Sequence, residues 1–217
     1  MSTGRSLNRS TKHSAKSQLN LSSARRQLRR ADFLNFYPHT LFTLHQIFTM
    51  KNTLRDLYLE QLQDIYSAES QLVEHLPHFA MKASDSALKQ AYSDHLVETK
   101  DQLNRMVTMI SRHSTIKAGG HTCKAMAGLL KEGQDALEDA GNSQVIDAHL
   151  IAASYRVEHY EIAAYQSAIS MAKALNEDEE AKMLEANLSE EVAAAKLLNK
   201  IADGGLFSSG LHATAVS

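Results

Sequence analysis

From Thr53 onward, apolar residues recur at three- and four-residue steps, the spacing of a helix with one buried face. Leu54, Tyr58, Leu62, Ile65, Leu72 and Leu76 trace the first such face. Pro77 is expected to end or kink it, because proline lacks the N–H and clashes with the preceding turn. Ser84 and Asp85 offer an N-cap and a first-turn acid for a second helix. Its face runs through Leu88, Ala91, Tyr92, His95, Leu96, Leu103, Met106 and Ile110 to near His113. Gly119 and Gly120 break the chain, and a shorter pattern over about 122–140 stops at Gly141. Asn142 and Ser143 cap a third long pattern, carried by Ile146, Leu150, Ala153, Val157, Ala164, Tyr165 and Ala168 to about Leu175. Asn176 then reads as the cap of a last helix whose first turn is acidic, Glu177 to Glu180. Leu184, Leu188, Leu198 and Ile201 carry that helix to Gly204 and Gly205.

Four helices of about 25 residues would each be roughly 38 Å long. Short connections join the first pair and the last pair, while some 30 residues separate the second from the third. The expected fold is therefore all-α, a four-helix bundle with a long crossover between helices 2 and 3 that carries the short extra helix. That is the layout of ferritin-like folds. The bundle is expected over residues 50–205, with a flexible C-terminal tail over 206–217.

Charge divides the chain where the pattern begins. The net charge of −2 averages a basic segment and an acidic one. Residues 1–50 hold eight Lys/Arg against the single acid Asp32, a balance of +7, whereas residues 51–217 hold 15 basic against 24 acidic residues, a balance of −9. Residues 1–49 are expected to be a basic, disordered extension, since the Ser-, Thr- and Asn-rich stretch before Phe33 has too little apolar surface to offset the entropy of ordering. A nucleic-acid-binding arm, a transit peptide, or an upstream extension ahead of a start at Met50 are its competing readings. Nothing in it suggests base readout, so nucleic acid is not an expected partner. One cysteine, Cys123, excludes an internal disulfide framework, and no apolar run approaches the ~18 residues that span a membrane.

The candidate chemistry lies in acids that interrupt the apolar faces. Glu69 follows Leu62 and Ile65 by seven and four residues and shares their side of the first helix. On the second helix His95, Glu98 and Gln102 fall within about 60° of one another. On the third, Glu158 and Glu161 sit one turn apart in the stripe of Val157, Tyr165 and Ala168; on the fourth, Glu191 lies between Leu188 and Ala195. Each acid lies about midway along its helix, so antiparallel packing would bring them to one level. Ionised carboxylates buried without partners cost many kcal/mol, so these must be protonated, paired or bound to metal. No stripe offers a Lys or Arg at that level. Two divalent cations would balance four carboxylates, and oxygen ligands with an imidazole suit iron or manganese. The expected metal ligands are Glu69, His95, Glu98, Glu158, Glu161 and Glu191, with His159 as an outer hydrogen-bonding group.

The segments DIYSAESQL (64–72), HLVETKDQL (95–103), RVEHYEIAAY (156–165) and LSEEVAAAK (188–196) resemble the four helix motifs of the bacterial YciF/YciE-like ferritin-like family. The resemblance covers about 52–203, including CKAMAGLL (123–130). It implies a ferritin-like bundle, a dinuclear metal site, a homodimer, a cytoplasmic location and a link to stress responses. The Glu-x-x-His pair of ferritin-like di-iron sites is absent: Glu98 is followed three residues on by Asp101, and Glu191 by Ala194. His95-x-x-Glu98 stands as a reversed pair, and Ala195 occupies a position usually acidic in that family.

The leading functional expectation is a di-metal, di-iron, carboxylate protein acting on dioxygen or peroxide or oxidising ferrous iron. A manganese catalase-like enzyme is its enzymatic variant. A metal-independent helical stress protein, structural or interacting, is the reading from a different class.

Overall fold

The computed structural model describes residues 53–139, 141–205 and 208–216. The basic extension expected over residues 1–49 lies outside the described residues. The helices are α1 (Leu54–Lys82), α2 (Ser86–Ser111), α3 (Lys124–Asp139), α4 (Ser143–Ala174) and α5 (Asp178–Asp203), followed by the single-turn α6 (Leu211–Thr214). None of the described helices is long and apolar enough to cross a membrane.

Local chemistry sets most of the boundaries. Thr53 and Asp56 form a reciprocal capping box at the start of α1. Asp85 accepts from the Leu88 N–H to cap α2, and Asn142 accepts from the Val145 N–H to cap α4. The helix does not end at Pro77, and the expectation at Asn176 is overridden. Pro77 lies inside α1, which continues to Lys82. Loss of one backbone bond there costs about 3 kcal/mol, and Leu76 and Phe79, both fully packed, hold the next turn in place. Asn176 terminates α4 instead of capping α5. It adopts φ +60°, and the bonds Asn176 N–H to Lys173 O and Glu177 N–H to Ala172 O close the left-handed turn that ends a helix.

The core has three levels, and they reveal the topology. One apolar cluster contains Leu72, Leu76 and Phe79 of α1, Leu88 and Tyr92 of α2, Leu150 and Val157 of α4, and Leu198 of α5. The other contains Leu62 and Ile65 of α1, Met106 and Met109 of α2, Tyr165 and Ala168 of α4, and Leu184 of α5. Each long helix passes from one cluster to the other through a polar middle. α1 and α5 run one way, α2 and α4 the other. Parallel α2 and α4 require the connection over 112–142 to travel the length of the bundle, and α3 fills that path, with Met126 and Leu130, and Cys123 just before it, on the first cluster. At that end Asp147 of α4, 2% exposed, accepts from Ser84 N–H, Ser84 Oγ–H and Asp85 N–H, tying the α1–α2 turn to α4.

The described residues of the expected tail carry local structure. Gly204–Gly205 (β1) pairs antiparallel with Ser208–Ser209 (β2), and Leu211 of α6 packs on the first apolar cluster. Gly210 is what permits the return: a Cβ there would stand 2.1 Å from the Ala202 carbonyl oxygen.

Candidate metal centre

The polar middle is a single layer of buried side chains. α1 contributes Glu69, α2 His95, Thr99 and Gln102, α4 Glu158 and Glu161, and α5 Asn187 and Glu191, all at most 6% exposed. Donor atoms of His95, Glu158, Glu161 and Glu191 lie within 4.8 Å of one another, a grouping able to hold a metal ion. His95 Nε2 stands 3.4 Å from Glu158 Oε1 and 3.8 Å from Glu191 Oε2. Glu69 faces Glu191 and Glu161 from the α1 side; the Glu191 charge makes ionisation of Glu69 and Glu161 costlier, and the Glu69 charge does the same to Glu161.

Glu98 is placed differently from the expectation. Its side chain is 49% exposed, and Oε2 lies 3.5 Å from His95 Nδ1, on the far side of the ring from Glu158. In this arrangement it lies beside the imidazole and outside the buried grouping of donor atoms. With the proton on Nδ1, such a carboxylate fixes the ring and leaves Nε2 free to bind. His95 in turn holds the Glu98 carboxyl below its ordinary value, against the opposing push of partial burial.

The buried acids behave in the opposite sense. Burial raises the carboxyls of Glu69, Glu158 and Glu161 well above the usual range, and neighbouring carboxylates add to it, Glu191 for Glu69 and Glu158 and Glu69 for Glu161. Two unit charges about 4 Å apart repel by on the order of 4 kcal/mol at an effective dielectric near 20. Part of the layer is satisfied within the protein. Tyr165 donates to Glu69 Oε1, Gln102 donates to Glu191 Oε1, and Asn187 Nδ2 donates to the Tyr165 hydroxyl at 2.9 Å. Arg105 closes one side by donating to Asn187 and Glu190. Arg105 and Asn187 were not singled out from sequence, although Asn187 lies one helical turn before Glu191 and Arg105 three residues after Gln102.

Eight buried polar atoms of the layer are without a hydrogen-bond partner: Glu69 Oε2, both His95 nitrogens, Gln102 Oε1, Glu158 Oε2, both Glu161 oxygens and Glu191 Oε2. Buried polar groups are almost always paired, so their clustering is the chemical signature of the layer. His159, expected as an outer hydrogen-bonding group, is exposed and packs edge-on against Tyr155, ring centroids 4.4 Å apart. Cys123 is buried, with Sγ 2.9 Å from the Tyr160 hydroxyl.

The family described as a domain of unknown function, DUF892, matches residues 53–208. The chain belongs to the DUF892 family. The match spans all four long helices and every residue of the polar layer. Protein YciF of Escherichia coli K12 is 38% identical over 150 residues, which are 69% of this chain and 90% of YciF. The crystal structure of YciF, called a stress protein, superposes with a TM-score of 0.66 at 37% identity, covering 69% of this chain and 94% of that one. A Rhodopseudomonas palustris protein named YcfI, described as a candidate structural protein, gives 0.67 at 37% identity over 70% and 96% of the two chains. A Xanthomonas campestris protein, 21% identical, shares the fold at 0.58. These relatives establish the helical bundle.

Proposed function

We propose that the polar layer is a dinuclear metal site and that the protein is a stress-response metalloprotein acting on dioxygen or peroxide or oxidising ferrous iron. The observation that carries this reading is the set of six unpartnered atoms on buried Glu and His side chains, apart from the His95 Nδ1 that faces Glu98. Four carboxylates, Glu69, Glu158, Glu161 and Glu191, match the charge of two divalent cations, and one imidazole among oxygen donors suits iron, or manganese. His95, Glu158, Glu161 and Glu191 would hold one ion. Glu69 Oε2 would share the second with Glu161 and Glu191. Bound there, such a metal pair supplies one-electron redox chemistry and open positions for an oxygen species.

The chain's own residues do the rest. Glu98 orients His95 from outside, and Gln102 and Tyr165 each fix one oxygen of Glu191 and Glu69, leaving the other free. The two apolar clusters keep bulk water from the ends of the layer. The name "stress protein" borne by the E. coli relative supports the physiological part of the reading. The resemblance to ferritin-like proteins carries a homodimer with it, which sedimentation tests.

A second reading has a specific observation behind it: the raised carboxyls of Glu69, Glu158 and Glu161 would let a metal-free layer persist as neutral acids. The two readings separate on metal content. After anaerobic Fe(II) loading and desalting, about two equivalents per chain are expected, falling to near zero in Glu158→Ala and Glu161→Ala. Less than about half an equivalent in the wild type would overturn the metal site.

A further inference from the structure

A cavity of about 190 Å³ lies between α2 and α5. His95 and Glu158 form its inner wall, only 6% and 3% exposed, with unpartnered atoms on both. Asp94, Glu98 and Leu197 form its outer rim and are exposed. The cavity therefore runs from solvent to the donor set. It is open because the flanking positions are small: Ala91 on α2, Ala193 and Ala194 on α5. Ala194 follows Glu191 by three residues, so a longer side chain there would project into the same space.

We infer that this cavity is the port through which a divalent cation enters and leaves the buried layer, with Asp94 and Glu98 drawing it in and His95 meeting it inside. The inference rests on the metal-binding reading. A cation crossing either apolar cluster would shed its water with nothing to replace it. The side beyond Gln102 is closed by the Arg105 guanidinium and its bonds to Asn187 and Glu190. Along the α2–α5 cavity, carboxylates and an imidazole replace water in sequence, and the two rim charges attract cations over about a Debye length.

A port differs from a ligand in its kinetics. Narrowing it raises the barrier equally in both directions, so uptake and release slow by one factor and affinity is unchanged. Ala194→Leu narrows the cavity while leaving every donor residue in place. Stopped-flow binding of Co(II), with release measured by chelator capture, is expected to slow at least about tenfold each way, because passage then waits on local opening. The dissociation constant stays within about twofold. Gly128→Leu instead fills a separate hollow lined by His159 and Tyr160, at a helical position where an added Cβ meets nothing. It is expected to leave both rates at wild-type values. Asp94→Asn is expected to slow uptake at low ionic strength and flatten its salt dependence.

Wild-type rates in Ala194→Leu, slowing in Gly128→Leu instead, or a salt dependence indifferent to Asp94→Asn, would each overturn the port while the metal site stands. Failure of the wild type to bind Co(II) would remove the metal site and the port together.

Discussion

Replacing Glu161 by glutamine should stabilise the metal-free protein. Both Glu161 oxygens are buried and unpartnered, and Glu69, Glu191 and Glu158 all oppose its ionisation. Glutamine keeps the shape, removes the charge and turns an N–H₂ toward carboxylate oxygens that lack donors, among them Glu158 Oε2 and Glu191 Oε2. A charge pair about 4 Å apart is worth on the order of 4 kcal/mol at an effective dielectric near 20, but the carboxyl can escape that by binding a proton. Replacing buried ionic groups by neutral ones of similar volume typically gains about 1–4 kcal/mol. For a domain of this size each kcal/mol moves Tm by about 2–4 °C. In chelator near neutral pH, Glu161→Gln should therefore melt several degrees above wild type. Metal should invert the order: at a hundredfold excess over Kd the wild type gains about 2.7 kcal/mol, which the variant forgoes. A metal-free Glu161→Gln that melts below wild type would refute the reasoning, since Glu161 would then be held by bonds of its own.

Glu98→Gln should weaken metal binding by about 10–100-fold yet keep the stoichiometry, as expected for a carboxylate acting through His95; loss of a whole equivalent in a calorimetric titration would return Glu98 to the donor set. The pH dependence has a definite sign. The folded-state values of Glu69, Glu158 and Glu161 lie above the unfolded value near 4.3, so their stabilising contribution is complete below about pH 4.3 and is lost as pH rises through the raised values. The melting advantage of metal-free Glu161→Gln over wild type should accordingly widen from pH 4.5 towards 8; a gap independent of pH would contradict it. Asp147→Ala strips three bonds from the α1–α2 turn and should cost about 2–4 kcal/mol by urea denaturation, with metal stoichiometry unchanged.

The helix faces were legible because burial follows the 3.6-residue period over four long segments, and so was the crossover, because its length fits no other connection. Pro77 left an end or a kink open, and Asn176 misled outright. Local propensity at Pro77 yields to the packing of Leu76 and Phe79, while Asn176 serves the end of one helix as readily as the start of the next. Glu69, His95, Glu158, Glu161 and Glu191 are brought together as their stripes implied. Glu98 is not, since three residues on from His95 it turns about 60° to the side away from Thr99, past the edge of the buried face. Arg105 and Asn187 stayed hidden because their roles depend on which neighbour the opposite helix presents, which no single stripe records.

Anomalous diffraction at the iron edge, on crystals grown after anaerobic Fe(II) loading, tests the central claim most directly. Two peaks about 3.5–4 Å apart, between His95, Glu158, Glu161, Glu191 and Glu69, are predicted. A layer without a peak, its carboxyls hydrogen-bonded to one another, would contradict the metal site and leave a protein whose polar core is structural.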